Sequence, residues 1–398
     1  MRRIALSPRR DWKAKAEAVG FTWHHADGRR YWDERAYYAF TLNQVEDHIE
    51  AATAELHRLC LELVAEVVES PALMTRLAIP EAAQALVAAS WKAKEPSLYG
   101  RFDFFYDGSG PPKLYEYNAD TPTSIYEAAV FQWLWLEDRI ADGALPAPTD
   151  QFNSLYEALR DRFKAIFPQG GFVHFASEAD FVEDRQTVRF LEDVAGQAGL
   201  TPKFVALDKI GLDADGRFVD AENFLIGAIF KLYPWEQMFR DTYGDKIAAS
   251  RTQFIEPAWK AVLSNKGLLP LLWERHAGHP NLLEAWFDDD PRADGLGRSY
   301  VRKPLFSREG ANLELYDKGR RASVLDQGYG AEGWIRQALC PPPKFGANYA
   351  VVGSWVIGDE PAGMGIREDR GRVTRDRSRF VPHVILETAE VIPIRRGS

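Results

Sequence analysis

The sequence predicts a mixed α/β protein, of the α+β or α/β class, in which helices precede and separate several short strands. Three observations support this prediction. Apolar residues recur at three- and four-residue steps over residues 45–70, which is the spacing of an amphipathic helix. Two short aromatic-rich runs within residues 101–118 indicate a β-hairpin. Helix and strand patterns then alternate over residues 151–207, as in a βαβ unit.

Local signals mark the individual elements along the chain. The predicted helices cover residues 45–70, 80–93, 123–140, 152–167 and 187–198, and the predicted strands cover 101–106, 113–118, 171–175, 203–207, 224–230, 300–303 and 349–357. Pro71 is expected to end the first helix, because proline cannot continue a helix. The strands at 171–175 and 203–207 flank a helix, and this order predicts a parallel pair.

Composition restricts the class of protein. The chain has 398 residues, which corresponds to two or three domains at about 150 residues each. Lys and Arg number 49 against 58 Asp and Glu, and the net charge of −9 disfavours a general nucleic-acid or anionic-membrane binder. The two cysteines, Cys60 and Cys340, match no metal motif, and no apolar run is long enough to span a bilayer. We therefore expect a cytoplasmic protein without nucleic-acid or membrane partners.

The predicted hairpin carries a cluster of oxygen-bearing side chains. Because side chains alternate along a strand, Asp103 shares a face with Arg101, and Glu116 shares a face with Asn118. If the register aligns these faces, Asp103, Glu116 and Asn118 converge into a set of oxygen ligands that suits Mg²⁺. The residues alone leave open whether this set binds a metal or is the water-facing side of an ordinary hairpin.

A second group of polar residues follows the strand at 300–303. Lys303 is a compact positive charge suited to phosphate oxygens, and Arg308 offers a planar guanidinium to a carboxylate or phosphate. Gly310 would let the backbone approach a phosphate closely. The chain contains neither a P-loop nor a Rossmann glycine motif, so the pattern alone favours a solvated charged loop.

Several of these segments occur together in a known family. Arg101-Phe102-Asp103 followed by the run YEYNADTPT at 115–123 resembles the hallmark of the glutathionylspermidine synthase family. Later blocks resemble the same family in the same order: Ser264-Asn265-Lys266, Lys303-Pro304, Arg308-Glu309-Gly310-Ala311-Asn312 and Gly365-Ile366-Arg367. The resemblance extends over about residues 12–393. It implies an ATP-grasp fold and ATP-dependent amide-bond formation between a carboxylate and an amine.

The resemblance also implies an order of regions. An N-terminal helical segment would cover residues 1–95, and a pre-ATP-grasp mixed α/β region with the hairpin would cover 96–260. An ATP-grasp nucleotide-binding region would cover 261–398. No amidase domain is expected, because the family's blocks begin within the first hundred residues.

Individual residues receive implied roles from the same resemblance. The implied ligands of the cofactor Mg²⁺ are Asp103, Glu116 and Asn118. The implied contacts of ATP are Lys266, Lys303, Arg101 and Gly310, and the implied catalytic residues are Arg101 and Arg308. The implied contacts of the acid and the amine are Thr121, Thr123, Glu183, Asp184, Arg308 and Arg367. An acidic wall of Glu183, Asp184 and Asp376 would attract a polyamine.

The substrates stay open at this point. A threonine that the glutathionylspermidine enzymes use for glutathione is absent at Lys231–Glu236, so the acid need not be glutathione itself. The resemblance implies a glutathione-like acid, either a peptide or an amino acid. The amine is expected to be polyamine-like, and the oligomeric state is unknown. One alternative is a catalytically silent nucleotide-binding regulator of the same fold. A second alternative is a glycoside hydrolase with Asp103 and Glu116 as its two carboxylates, but it does not explain Lys266, Lys303 and Arg308. A third, an interaction scaffold, has no specific support.

Overall fold

Strands and helices alternate along most of the chain in the computed structural model, which describes residues 1–26, 28–308, 310–323, 328–375 and 378–386. The strands are β1 (Arg2–Ala5), β2 (His25–Ala26), β3 (Arg29–Arg30), β4 (Ala36–Phe40), β5 (Tyr99–Phe105), β6 (Lys113–Asn118), β7 (Gly171–Ser177), β8 (Leu200–Ala206), β9 (Gly211–Leu212), β10 (Phe218–Val219), β11 (Ala228–Lys231), β12 (Gln253–Ile255), β13 (Ala285–Phe287), β14 (Tyr300–Pro304), β15 (Glu314–Asp317), β16 (Arg320–Ser323), β17 (Trp334–Ala338), β18 (Lys344–Phe345), β19 (Asn348–Ile357), β20 (Glu360–Asp369), β21 (Arg379–Val381) and β22 (His383–Ile385). The α-helices are α1 (Trp12–Ala18), α2 (Ala51–Val67), α3 (Pro71–Arg76), α4 (Glu81–Lys92), α5 (Gln132–Ala141), α6 (Leu155–Ile166), α7 (Val182–Gln197), α8 (Trp235–Met238) and α9 (Leu268–Arg275). The mixed α/β class is thus confirmed.

The first long helix shows how local signals and packing combine. A π-helical segment, Gln44–Glu50, continues directly into α2, whose Leu56 and Leu63 are buried in the core. Helix α2 ends before the proline, and Ser70 then caps the next helix by accepting a hydrogen bond from the Leu73 amide. Pro71 therefore opens α3 at a first-turn position, where proline is tolerated, in addition to following the end of α2.

The largest sheet positions the predicted hairpin at its edge. Its strand order is β21–β20–β19–β5–β6, with β18 also paired to β19, and neighbouring strands run antiparallel. Asp103 lies opposite Glu116 on one side and opposite Gly353 on the other. A Cβ atom at Gly353 would lie 2.8 Å from Cδ of Arg101, so glycine leaves the space that the arginine side chain occupies.

A parallel sheet forms in the middle of the chain, in the order β12–β11–β7–β8. Helix α7 connects β7 to β8, which confirms the predicted parallel pair. The strand predicted over 224–230 is shorter than expected, since β11 begins at Ala228. Phe224 and Leu225 are exposed, and their apolar character extended the prediction into the preceding turn.

A third sheet is antiparallel, with the order β13–β17–β14–β15–β16, and it carries Lys303 on β14. The resemblance implies a helical segment over residues 1–95. In the structure this segment contains the strands β1–β4 in addition to helices. Strands β1 and β4 form a small sheet with β22 from the far end of the described chain. The three region boundaries stay predictions. Among the described residues, no helix is both long and apolar enough to cross a membrane.

Candidate active site

The hairpin of β5 and β6 brings three oxygen-bearing side chains together. Asp103 lies directly opposite Glu116 in the register. The Asn118 amide nitrogen Nδ2 lies 3.1 Å from Oδ2 of Asp103 and 3.4 Å from Oε1 of Glu116. On the other face of the hairpin the rings of Phe102 and Tyr117 stack with centroids 3.8 Å apart, which anchors it to the core. The alternation of faces therefore has the predicted consequence that the three polar side chains meet.

Two arginines hold the Asp103 carboxylate, which is only 3% exposed. Arg101 donates from Nε to Oδ1 at 2.7 Å and from Nη2 to Oδ2 at 3.2 Å. Arg367, from β20, donates from Nη2 to Oδ2 at 2.5 Å. Arg101 also donates to the carbonyl oxygen of Thr123 at 2.7 Å, which fixes the segment after β6 relative to the sheet. The two guanidiniums together give this end of the site excess positive charge, suited to anionic substrate groups.

Two lysines face the other carboxylate of the hairpin. The ammonium of Lys266 lies 3.3 Å from Oε2 of Glu116 and donates to the carbonyl oxygen of Ser307 at 2.8 Å. Lys303 donates to the carbonyl oxygen of Tyr115 at 2.9 Å. Burial alone would raise the pKa of Glu116, but the positive charges of Lys266, Lys303 and Arg367 outweigh it and hold this pKa well below its usual range. Burial lowers the pKa of Lys303 to about 8, with Glu116 opposing the shift.

Arg308 is the centre of a third group of polar residues. Its Nη2 donates to the hydroxyl of Thr121 at 2.8 Å and lies 3.9 Å from Oε1 of Glu236. Burial raises the pKa of Asp184 to about 6, while the charge of Arg308 opposes that rise. Burial also raises the pKa of Glu236, again with Arg308 opposing. The arrangement places two readily protonated carboxyl groups beside one guanidinium.

Most of these groups line one cavity of about 550 Å³. The predicted residues that line it are Arg101, Glu116, Asn118, Thr121, Thr123, Asp184, Lys266, Arg308, Gly310 and Arg367. An adjoining cavity of about 90 Å³ is lined by Asp103 and Lys303, and it shares Glu116, Lys266 and Gly310 with the first. Glu183 lines neither cavity. Glu309 and Asp376 lie outside the described residues.

Gly310 sits where a side chain has no room. Its φ is +70°, and a Cβ atom would lie 2.6 Å from Cγ1 of Val373 and 3.0 Å from the carbonyl oxygen of Thr374. The backbone of this turn thus packs closely against the loop after β20.

A buried ion pair, to which no sequence pattern assigned a role, supports the site. Asp120 pairs with the ammonium of Lys231 and accepts a hydrogen bond from the backbone amide of Trp235 at 2.9 Å. This carboxylate, 1% exposed, joins the segment after β6 to the segment that presents Glu236. Lys231 and Asp120 are 111 residues apart, so no local pattern relates them. The sequence around Glu236 offers no motif for a functional residue beyond the preceding Pro234 and Trp235.

Comparisons with known proteins identify relatives of this chain. A family model described as "Glutathionylspermidine synthase preATP-grasp" matches residues 3–386. A Haemophilus influenzae protein named "Putative acid--amine ligase" is 40% identical over 397 residues, which covers 96% of this chain and 99% of that protein.

Two longer relatives match over part of their length. A trypanothione synthetase from Crithidia fasciculata is 29% identical over 347 residues, covering 80% of this chain and 52% of that protein. A bifunctional glutathionylspermidine synthetase/amidase from Escherichia coli is 27% identical over 383 residues, covering 89% of this chain and 60% of that protein. The chain therefore spans little more than half of the length of each of these two relatives.

A solved structure shows the same overall fold. It is a glutathione synthetase-like effector from Globodera pallida, with a TM-score of 0.58 over 94% of this chain and 95% of that one. The sequence identity is 11%, so this likeness concerns the fold alone. The predictions of the family and of an enzyme in the carbon–nitrogen ligase class are confirmed by the sequence relatives. The chain belongs to the glutathionylspermidine synthase pre-ATP-grasp family.

Proposed function

We propose that the protein is an ATP- and Mg²⁺-dependent ligase that joins a carboxylate to an amine through an acyl phosphate. The observation that carries this proposal is the grouping of three kinds of residue around two adjoining cavities. These are the oxygen cluster of the hairpin, the cations that face it, and the polar group around Arg308. The acid is a glutathione-like peptide or an amino acid, and the amine is polyamine-like in carrying positive charge.

The hairpin cluster fits Mg²⁺ by the chemistry of its donors. Asp103, Glu116 and Asn118 offer two carboxylates and one amide, and the amide already lies within hydrogen-bond distance of both carboxylates. A rotation of the Asn118 amide by 180° exchanges Nδ2 and Oδ1, so that Oδ1 points toward the two carboxylates. Bound there, Mg²⁺ would supply charge neutralisation and alignment for the phosphates of the nucleotide.

We place ATP between the third sheet and the largest sheet, as in an ATP-grasp fold. The small cavity between them is lined by Val301 and Leu315 on one side and by Val351 on the other, which suits a flat apolar base. Lys303 and Lys266 stand where this cavity meets the larger one, and they would neutralise phosphate oxygens. Gly310 lines both cavities, so its backbone would lie close to a phosphate bound where they meet.

The reaction itself asks the protein mainly for positioning and charge. A substrate carboxylate oxygen attacks the γ-phosphorus of ATP, and ADP leaves as the acyl phosphate forms. Arg101 and Arg367 would hold the anionic oxygens at the hairpin end, while Arg308 and the Thr121 hydroxyl would bind the acid from the opposite side. The amine nitrogen then attacks the acyl carbon, the amide bond forms, and inorganic phosphate leaves.

The amine has to lose a proton to become a nucleophile. Asp184 lines the cavity beside Arg308, and its raised pKa of about 6 makes it a better proton acceptor than an ordinary aspartate. Its negative charge would also attract a cationic amine. We assign Asp184 rather than Glu183 to this role, because Glu183 does not line the cavity.

A matrix screen of acids against amines tests the proposed function. Peptides and free amino acids are combined in pairs with amines, ADP release is measured, and mass spectrometry identifies the conjugate. An acid labelled with heavy oxygen in its carboxylate should pass one labelled oxygen to the released phosphate, since the acyl phosphate transfers it. Nucleotide binding without ADP release for every pair would favour the silent regulator. Conjugate formation with unlabelled phosphate would exclude the acyl phosphate.

A further inference from the structure

A second large cavity, of about 800 Å³, lies at one edge of the parallel sheet. Its walls come from the segments that directly follow β7, β8 and β11, which begin with Glu178, Leu207 and Leu232. This is the carboxyl edge of the strands, where open parallel sheets bind their ligands. The volume is within the range of small-molecule sites, about 300–1,000 Å³. The proposed function uses none of it.

The second cavity adjoins the active-site cavity. Glu178, Phe181 and Tyr233 line both of them. Tyr233 is held in place at the junction, since its hydroxyl donates to Oδ2 of Asp241 at 3.2 Å. A ligand in the second cavity therefore lies against residues that also line the cavity around Arg308.

The lining has an apolar floor and an acidic rim. The apolar floor is formed by Ile210, Phe218, Ile226, Ile229, Ile247 and Phe254. Glu178 and Asp180, at the rim, form no ion pair within the part of the chain that the structure describes. The two lysines of the lining are neutralised, because Lys209 lies 2.8 Å from Asp208 and Lys231 pairs with the buried Asp120. The lining of the second cavity therefore carries a net negative charge, which favours a cation over an anion.

We propose that this second cavity binds the apolar body of the amine substrate, while its amino group points past Glu178 into the active site. The inference rests on the proposed function and narrows its amine to a primary amine with an arylalkyl or alkyl body. A carboxylate substrate is disfavoured at this junction, because Glu178 and Asp184 would repel it. A purely polar polyamine would leave the apolar floor in contact with water.

Direct binding of a probe amine tests the inference without any ATP chemistry. Isothermal titration calorimetry with 2-phenylethylamine on the full chain should show one site, and 2-phenylethanol, which lacks the charge, should bind more weakly. The variant Ala179→Trp places a large ring in the cavity from an exposed position, and it should weaken binding by about tenfold or more. Ala51→Trp, at an exposed position on α2 outside the cavity, is the matched control and should bind as wild type does.

Charge variants test the acidic rim separately. Glu178→Gln and Asp180→Asn should each weaken 2-phenylethylamine binding about two- to fivefold, whereas Glu157→Gln on α6 should leave it unchanged. The inference is overturned if wild type does not bind the amine, if Ala179→Trp binds it as tightly as wild type, or if the alcohol binds equally well. Binding that follows the expected pattern with no ADP release for any acid would retain the inference and remove the proposed function. ADP release with polar amines alone, at the same rate in the cavity variants as in wild type, would support the proposed function and overturn the inference.

Discussion

Arg308 donates a hydrogen bond from Nη2 to the hydroxyl of Thr121 at 2.8 Å. The two residues are 187 positions apart, on the loop after β14 and on the segment after β6. The contact joins the part of the chain that carries Lys303, the lysine proposed to bind phosphate, to the hairpin that carries the oxygen cluster. It therefore holds the loop of Arg308 against the segment after the hairpin. Variants of either residue test its importance.

Arg308→Ala should slow the chemistry far more than it weakens nucleotide binding. Loss of one donor that stabilises developing charge costs about 2.7–4 kcal/mol, which corresponds to a hundred- to a thousandfold in kcat. Steady-state ADP release gives kcat, and calorimetry with ATP gives Kd. Arg160→Ala, on α6 and outside both cavities, is the control and should change neither. An equal loss in both quantities would assign Arg308 to nucleotide binding instead.

Thr121→Val removes the hydroxyl that accepts from Arg308 and should also lower kcat, whereas Thr121→Ser should keep most of the activity. The physical reason is that serine retains the acceptor while valine leaves the guanidinium without it. Combined with Arg308→Ala, the valine variant should add less than its separate effect, because the two residues share one interaction. Independent effects in this double-mutant cycle would show that the hydrogen bond is incidental.

Asp103→Asn and Glu116→Gln should abolish ADP release while the protein stays folded. Each change removes one anionic oxygen of the proposed Mg²⁺ site, and Glu116→Gln also leaves Lys266 and Lys303 without their shared counter-charge. Titration of activity with Mg²⁺ and circular dichroism measure the two effects. Asp107→Asn, in the turn of the same hairpin, serves as the control and should retain activity. Full activity in both variants would refute the metal assignment.

Sequence alone was most informative where the relevant interactions are local. The convergence of Asp103, Glu116 and Asn118 follows from strand alternation and a hairpin, both of which are encoded within twenty residues. Glu236 and Tyr233 could not be found in this way, because the buried pair that places their segment depends on residues far apart in the chain.

The acidic pair at the start of α7 shows a second limit. Both Glu183 and Asp184 were expected at the substrates, but consecutive residues of a helix point about 100° apart. Only Asp184 faces the cavity. Which of two neighbours faces a site depends on how the helix packs, and the sequence pattern of a short first turn does not determine this.

Gly310→Ala should destabilise the protein and weaken ATP binding. The residue has a positive φ of +70°, and the added Cβ would lie 2.6 Å from Val373. Gly346→Ala is a matched control, because Gly346 has a φ of +64° with nothing within 4 Å. Both variants share the strain of a positive φ, so the overpacking alone should cost Gly310→Ala about 1–3 kcal/mol more in the free energy of unfolding. Equal stabilities in urea denaturation would contradict the close packing at this turn.

Asp184→Asn should stabilise the free protein in a way that depends on pH. Burial raises the pKa of Asp184 from 3.8 to about 6 in the folded state. Between these values the folded protein binds a proton that the unfolded chain has released, so this group lowers the free energy of unfolding as the pH rises from about 4 to about 6. The variant lacks this loss, so the difference between its melting temperature and that of wild type should increase across this pH window and then stay constant. The total increase should correspond to about 1 kcal/mol in the free energy of unfolding, after allowance for partial exposure. Asp180→Asn, at an exposed position just before α7, should show no such trend in the same thermal melts. A difference between Asp184→Asn and wild type that is the same at pH 4 and pH 7 would show that Asp184 is an ordinary surface carboxylate, and it would remove the reason for assigning it the proton of the amine.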